Sequence, residues 1–229
     1  SSDLDTVSRR KYTLYIKDLE TGETMSDEVP NTTGRSTWAN DNTTLFYATK
    51  DGLTLRSNAI HKHKLGTIAK KDKVVYTEDD ETYSTFIYKT KSEEFLIIGS
   101  GSTLTTEYQF LSADNPDGEL QFIQPRTEGL EYSVSHYGDY FYIVCNLDAL
   151  NFRLMKTLVS KPGVENWEEV IAHRKDVLLE GIELFEHFMV VDERKEGLNQ
   201  IRVISWADGS EYYLEFWEEV YSAGVSANP

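Results

Sequence analysis

Short apolar runs alternate with polar turns along most of the chain. The runs are rich in β-branched and aromatic residues, and each is followed within a few residues by Gly, Asp or Asn, a pattern typical of β-strands. They cover Tyr12 to Lys17, Leu45 to Ala48, Phe95 to Ile98, Tyr140 to Cys145, Phe188 to Val191 and Gln200 to Ser205. Helical spacing is hard to find, and its best candidate, Asn166 to Ile171, is equally consistent with a strand. The pattern therefore predicts a nearly all-β protein.

Turn glycines recur at a regular interval. Gly22, Gly66, Gly118, Gly163 and Gly209 are separated by 44, 52, 45 and 46 residues, and each stands between two strand-like runs. This placement is expected of equivalent hairpin turns, in which glycine accepts a positive φ.

Each repeat holds further strand signals upstream of its glycine. Polar turns enter buried central strands at Asp41 to Tyr47, Lys91 to Ile97, Tyr137 to Tyr142 and Phe185 to Val190. Shorter first strands precede these turns at Ser36 to Ala39, Tyr83 to Tyr88, Tyr132 to Ser135 and Glu180 to Leu184. Four strands in about 46 residues are typical of a β-propeller blade. A β-sandwich with coincidental turns is the alternative.

We therefore predict an all-β fold that is a partial, incomplete β-propeller over residues 1–229. It comprises about four four-stranded blades with half-blades at the ends, namely Tyr12 to Val29 and a strand fragment at Tyr221 to Val225. A closed ring cannot begin and end within a blade, so the exposed edges favour pairing between copies of the chain as a homo-oligomer.

Charge narrows the range of partners. The 229 residues include 23 Lys and Arg against 39 Asp and Glu, a formal net charge of −16 that repels a phosphate backbone, so nucleic acid is not expected as a partner. The basic runs Arg9 to Lys11 and Lys70 to Lys71 are interpreted as solvated strand ends. No apolar run reaches the roughly 18 residues needed to cross a membrane, and no export signal is visible. We expect a cytoplasmic protein, or a periplasmic one if a signal has been removed.

Candidate chemistry is sparse. The nucleophile motif Gly-x-Ser-x-Gly is absent, and Gly99 to Ser102 is interpreted as a hairpin turn. His61 and His63 share one strand face, but without a third metal ligand they are interpreted as surface histidines on an edge strand. Cys145, the only cysteine, is expected to be a small buried residue rather than a nucleophile. The sequence thus predicts no metal site and no cofactor.

Acidic runs and isolated histidines are the remaining candidates. Glycoside hydrolysis needs two carboxylates at a fixed separation, which a sequence does not give. We interpret the acidic runs as solvated loops between blades and the histidines as turn or rim residues. The residues concerned are Glu78 to Glu81, Glu168 to Glu169, Glu218 to Glu219, His136, His173 and His187.

Several collinear segments resemble one known family. They are Asp5 to Thr13, Lys17 to Gly22, Trp38 to Asp41, His63 to Thr67, Glu131 to Val134, Asn151 to Leu154, Asn166 to Glu169 and Leu178 to Gly181. These segments are similar to the propeller of the oligopeptidase B branch of the prolyl oligopeptidase family of serine peptidases. The resemblance implies a seven-bladed propeller that caps an α/β-hydrolase domain, admits short peptides and excludes folded proteins. The implied reaction is hydrolysis after Arg or Lys through an acyl-enzyme.

The same resemblance implies what this chain contributes. The peptidase domain and the outer blades are missing, so the chain is expected to be a central part of the propeller, without catalytic residues and inactive alone. One of Arg9 and Arg10 is expected to pair with a carboxylate of the peptidase domain. Thr33 falls where the family often places a channel-facing side chain. The expected partners are that domain and short basic peptides, which an acidic channel wall would concentrate.

Two other functions stay open at this point. A free-standing propeller that binds a protein partner would be encoded without a downstream Gly-x-Ser-x-Gly sequence. A propeller glycosidase would need two acidic side chains that converge in space.

Overall fold

The structure of the protein is a computed structural model that describes residues 2–4, 10–218 and 220–225. Within these ranges the chain forms 18 β-strands and two short 3₁₀ helices, Ala69–Lys71 and Val164–Asn166. Neither helix of this part of the chain is long and apolar enough to cross a membrane. The prediction of a nearly all-β protein is confirmed.

The strands form four antiparallel sheets. The first contains β1 (Ser2–Leu4), β2 (Tyr12–Lys17), β3 (Thr24–Trp38), β4 (Thr44–Lys50), β5 (Ser57–Lys64) and β6 (Lys73–Thr77). The second contains β7 (Ser84–Lys89), β8 (Phe95–Gly101), β9 (Thr106–Ser112) and β10 (Gln121–Gln124). The third contains β11 (Tyr132–Tyr137), β12 (Tyr140–Cys145), β13 (Arg153–Leu158) and β14 (Glu168–Ile171). The fourth contains β15 (Leu178–Leu184), β16 (Phe188–Lys195), β17 (Leu198–Ser205) and β18 (Glu211–Tyr213). Strands that follow each other in the sequence are neighbours in each sheet, as in propeller blades.

The chain divides into two compact units. The first unit comprises the residues up to Thr103 and Glu107–Pro125, and it holds the first two sheets apart from the first residue of β9. The second unit comprises Leu104–Thr106 and the residues from Arg126 onward, and it holds the other two sheets.

Strand β3 belongs to two blades at once. It has 15 residues, of which Thr24 to Thr32 pair with β2 and Thr32 to Trp38 pair with β4. The first sheet is therefore a three-stranded partial blade joined to a four-stranded blade. The predicted half-blade at Tyr12 to Val29 is confirmed, and β1 adds a strand that the sequence pattern does not predict.

Strand β4 shows why the sequence is repetitive. Leu45 and Tyr47 pack against the partial blade, whereas Phe46 and Ala48 pack against the second sheet. Alternate residues of a strand point to opposite faces, so both faces of this blade are buried. A blade therefore needs a neighbour on each side, and a continuous apolar run replaces the alternating pattern of a half-exposed strand.

The second unit has the same kind of core between its sheets. Residues of the third sheet pack against residues of the fourth sheet, and the buried members are Tyr142, Val144, Leu154, Ile171, Leu179, Leu184, Met189 and Val191. The prediction of a partial propeller with about four four-stranded blades is confirmed.

The five turn glycines all lie between the third and fourth strands of a blade. Gly22, Gly66 and Gly209 have φ angles of 75°, 80° and 69°, as predicted for such turns. Gly118 does not have a positive φ, and Gly163 has a φ of −61° directly before the second 3₁₀ helix. The equivalence of the turns is confirmed, but the predicted conformation is wrong at these two positions.

Two other predicted features are wrong. Tyr221 to Val225 contains no strand, although these residues are described. Gly99 to Gly101 belong to β8 instead of a hairpin turn. Gly99 is needed there because a Cβ atom would clash with Cζ of Phe86 on the neighbouring strand.

Candidate functional site

The bend at which β3 passes from one blade to the next contains two residues with positive φ. Asn31 has a φ of 62° and Gly34 has a φ of 84°. Between them, Thr32 is fully buried; its hydroxyl donates a hydrogen bond to the Tyr12 carbonyl at 3.3 Å and accepts one from the Gly34 N–H at 3.4 Å. A Cβ atom on Gly34 would lie 3.4 Å from the Tyr12 ring. Packing and hydrogen bonds therefore fix this bend.

Two of the three predicted site residues lie at this bend. Thr33 is half-buried in β3, and its hydroxyl accepts a hydrogen bond from the Arg35 N–H at 3.2 Å. Arg10 is exposed just before β2, and its carbonyl accepts a hydrogen bond from Nζ of Lys50, at the end of β4. Arg9 lies outside the described residues. The roles expected for these residues toward a second domain stay predictions.

An open groove with a volume of about 590 Å³ follows the first strands of two neighbouring blades. It is lined by Gly34 to Thr37 of β3 and Ile87 to Lys89 of β7. The blades of a propeller surround a central channel, and the first strand of each blade lies nearest to it. We therefore interpret the groove as the channel-facing surface of the first unit.

The charged side chains of the groove are Arg35 and Lys89. The Arg35 guanidinium lies over the Phe86 ring, 5.9 Å from its centroid, in a cation–π contact. Lys89 Nζ donates a hydrogen bond to Asn40 Oδ1 at 3.0 Å, and Asn40 Nδ2 donates one to Asp114 Oδ1 at 2.8 Å. Asn40 thereby links the first sheet to the second and holds Lys89 at the groove.

The groove residues are suited to binding a peptide. The two cations can pair with carboxylates, and the hydroxyls of Ser36, Thr37 and Tyr88 can bond to peptide groups. Sequence reasoning missed Arg35 and Lys89. Each lies one residue outside a predicted first strand. The blade repeat therefore located the strands next to these residues, although it did not single out the residues themselves.

In the second unit, the first strand of the fourth sheet has carboxylates. Glu180 and Glu183 belong to β15, and Glu180 accepts a hydrogen bond from Arg194 Nε at 2.8 Å. Burial, together with the charges of Glu180 and Glu183, raises the pKa of Asp192. The first strands of the first unit thus carry cations and β15 of the second unit carries carboxylates, whereas the net charge predicts an acidic channel wall.

The prediction that His63 is a surface residue on an edge strand is wrong. Strand β5 lies between β4 and β6, and His63 is fully buried between two carboxylates. Its Nε2 is 2.9 Å from Asp27 Oδ1, and its Nδ1 is 2.9 and 3.0 Å from the two oxygens of Asp72. Because the carboxylates contact opposite nitrogens of the ring, the three side chains do not converge on a common point. No group of His, Cys, Asp or Glu in the described ranges is placed to hold a metal ion.

His61 is likewise not a surface residue on an edge. It is half-buried on β5, with its ring stacked on Tyr47 at 5.3 Å between centroids. Its Nε2 lies 3.1 Å from the Thr49 hydroxyl. Burial lowers the pKa of His61, although the charge of Asp72 opposes this shift.

Glu78 differs from the solvated loop residue that was predicted. It is only 4% exposed, and its Oε2 accepts hydrogen bonds from the Tyr76 hydroxyl at 2.9 Å and from Ser100. The Arg56 guanidinium donates to the Glu78 carbonyl at 3.0 Å and to the Tyr83 carbonyl at 2.6 Å. These contacts connect the first sheet to the second, so the role of Glu78 is structural.

The other sequence candidates have mixed outcomes. The prediction for Cys145 is confirmed, since the residue is buried and burial raises the pKa of its thiol. His136 is buried in β11 rather than on a turn or rim. His187 lies in the turn before β16, as predicted. Glu168 and Glu169 are exposed as predicted, but they belong to β14 rather than to a loop, and Glu169 pairs with Arg153.

Comparison with known proteins places the chain in a family. The family model for the N-terminal β-propeller domain of prolyl oligopeptidase matches residues 3–228. Dipeptidyl aminopeptidase BI of Pseudoxanthomonas mexicana is 40% identical over 226 residues, which are 98% of this chain and 31% of that protein. Protease 2 of Moraxella lacunata is 32% identical over 217 residues, which are 94% of this chain and 31% of that protein.

A solved structure agrees with this assignment. Oligopeptidase B from Leishmania major superimposes with a TM-score of 0.88 at 29% sequence identity, and the match covers 96% of this chain and 32% of that one. The chain thus spans about a third of the length of the relatives that it matches. The family model and the fold agree over nearly all described residues, and the chain therefore belongs to the prolyl oligopeptidase family, where it forms part of the N-terminal β-propeller domain.

Proposed function

We propose that this chain is the non-catalytic propeller segment of a serine peptidase that hydrolyses short peptides. Membership of the prolyl oligopeptidase family supports a peptidase as the whole protein. The sequence itself contains no Gly-x-Ser-x-Gly motif, so the nucleophile would lie in an α/β-hydrolase domain outside these residues. The chain alone would then be inactive.

The observation that carries this proposal is the groove on β3 and β7. Peptides entering through the channel would pass the first strands, where Arg35, Lys89 and the nearby hydroxyls offer contacts. The blades that flank the groove are packed on each other through a shared core. They would admit an extended peptide and exclude a folded protein, because separating them exposes that core.

The docking role proposed for Arg10 rests on its position. It is exposed at the bend of β3, and the Lys50 contact holds its backbone. An exposed guanidinium on a backbone held in this way is suited to pairing with a carboxylate of a neighbouring domain. Thr33, on the same bend, would face the channel beside the substrate.

The substrate class has two candidates. The resemblance to oligopeptidase B favours cleavage after Arg or Lys within short peptides. The identity of 40% to a protein named dipeptidyl aminopeptidase BI favours removal of dipeptides from a free N-terminus. Either activity is consistent with a propeller that limits substrate size, whereas a free-standing scaffold is disfavoured by the family assignment.

A single substrate panel tests these alternatives on the intact protein. It contains amides of dipeptides that end in Arg, with a free or blocked N-terminus, matched neutral amides, and peptides of increasing length up to a folded protein. Cleavage of blocked arginyl amides supports the oligopeptidase B candidate, and cleavage that requires a free N-terminus and releases a dipeptide supports the dipeptidyl aminopeptidase candidate. Equal rates for short peptides and for the folded protein would contradict gating. The absence of any peptidase activity would reject the enzyme and favour the scaffold.

A further inference from the structure

Four lysines line one pocket of the first unit, although the whole chain has a net charge of −16. The pocket has a volume of about 270 Å³ and lies where β5 is followed by β6. Its lysines are Lys62, Lys64, Lys71 and Lys73. The carboxylates of the lining are Asp72 and Asp117, so the four lysines outnumber them by two.

The register of the sheet brings the lysines together. Lys62 on β5 stands directly opposite Lys73 on β6, and Lys64 follows Lys62 on the same face of β5. Like charges directly opposite each other destabilise an antiparallel pair. This arrangement is therefore favourable only when negative charge is supplied nearby.

The carboxylates of the pocket do not supply negative charge to all four lysines. Asp72 already contacts His63 through both oxygens and accepts a hydrogen bond from the Tyr47 hydroxyl at 2.9 Å. Asp117 pairs with Lys62. Outside the lining, Asp41 pairs with Lys64 at 3.1 Å.

Two lysines are thus less compensated than the others, although the charge of Asp117 also acts on Lys73. Lys71 and Lys73 are exposed, and neither forms an ion pair with a carboxylate in the part of the chain that the structure describes. They are the residues that an added anion would meet.

We propose that this pocket binds a phosphate group, either as free phosphate or as a phosphate ester. A lysine ammonium group is a compact point charge that binds phosphate without the planar geometry an arginine requires. A phosphate carrying close to two negative charges would neutralise Lys71 and Lys73 and remove the repulsion between Lys73 and Lys62. Nothing in this inference depends on the peptidase activity.

The test is a binding titration of the intact protein at constant ionic strength. Inorganic phosphate and glycerol 3-phosphate are the probes, and binding is followed by calorimetry and by the Tm of the protein. Both the unaltered protein and Lys175→Gln are expected to bind phosphate and to show a raised Tm, because Lys175 is an exposed lysine outside the pocket. In Lys71→Gln/Lys73→Gln the affinity is expected to fall by about tenfold or more.

A second readout separates a binding role from a structural one. Without phosphate, the double variant should have an unchanged or higher Tm, because a like-charge pair has been removed.

Binding of the free anion alone assigns the pocket to phosphate, whereas equal or tighter binding of glycerol 3-phosphate assigns it to esters. The proposal is overturned if neither probe binds, or if both bind equally well to the double variant. It is also overturned if the lysines promote self-association without binding phosphate, which would assign the pocket to an acidic protein surface.

Discussion

His63 joins two carboxylates that are far apart in the sequence. Asp27 belongs to β3 of the partial blade, whereas Asp72 follows the first 3₁₀ helix, and both side chains are nearly fully buried. Carboxylate oxygens only accept hydrogen bonds, so the two contacts require donors at both ring nitrogens. The Asp27 carboxylate also accepts a hydrogen bond from the Gly66 N–H at 2.6 Å. This pairing connects the partial blade to the turn before β6.

Replacing His63 by leucine should therefore be costly. His63→Leu leaves two buried carboxylates without their shared partner, and we expect a loss of about 3–5 kcal/mol in the free energy of unfolding, measured by urea denaturation. Adding Asp27→Asn and Asp72→Asn to the same chain should restore part of the loss, because the buried charges are then removed. A loss below about 1 kcal/mol for His63→Leu would contradict an energetic role for the pairing.

His61 gives a prediction about pH. Its pKa in the folded protein is lowered by burial from the ordinary value of 6.5, so the unfolded chain binds a proton more readily than the folded one. The contribution of His61 to stability is therefore complete above pH 6.5 and is lost as the pH falls from 6.5 through the lowered pKa. Denaturation of the unaltered protein and of His61→Gln across this window should show a smaller decline for the variant. Parallel curves would refute the assignment.

At the level of elements, strands and turns could be predicted from the sequence because their signals are local. The apolar runs of β4, β8, β12 and β16 and the turn glycines define the blade repeat without knowledge of tertiary contacts. The burial of His63 and Glu78 could not be predicted, because their partners come from other hairpins and neighbouring sheets. Gly99 was assigned to a turn for the same reason: its role depends on Phe86, on the adjacent strand.

Gly99 provides a test of blade packing. Gly99→Ala places a methyl group against the Phe86 ring, and overpacking of this kind should lower the free energy of unfolding by about 1–3 kcal/mol. Gly181→Ala is the matched control, since it also lies in a strand and has no heavy atom within 4 Å of the added Cβ. Phe86→Leu should recover part of the loss in a double-variant cycle. Equal effects of Gly99→Ala and Gly181→Ala would show that the Phe86 contact is unimportant.

For the whole molecule, the edges of the sheets bear on self-association. The fourth strands β6, β10, β14 and β18 have only five, four, four and three residues. Short edge strands offer few unpaired backbone groups and are one way in which proteins limit edge-to-edge pairing. Pairing between copies through these edges stays a prediction.

Under the proposed function, the charge of the groove predicts how the whole protein would select peptides. Arg35→Glu places a carboxylate in a groove that otherwise carries cations, so at low salt kcat/KM for cationic peptides should rise about tenfold relative to neutral ones. The gain should fade as salt shortens the range of the field to a few ångströms. Lys17→Glu makes the same change of charge at an exposed position outside the groove and should have little effect. A similar gain in both variants would assign the effect to net charge alone.

The continuity of β3 limits where the polypeptide can be shortened. A chain that starts at residue 35 keeps the pairing of Ser36 to Trp38 with β4. It lacks Leu14, Ile16 and Val29. The blade face that carries Leu45 and Tyr47 would then be exposed to water. Such a truncated protein would be prone to aggregate, so recombinant versions should retain the segment from Tyr12 onward.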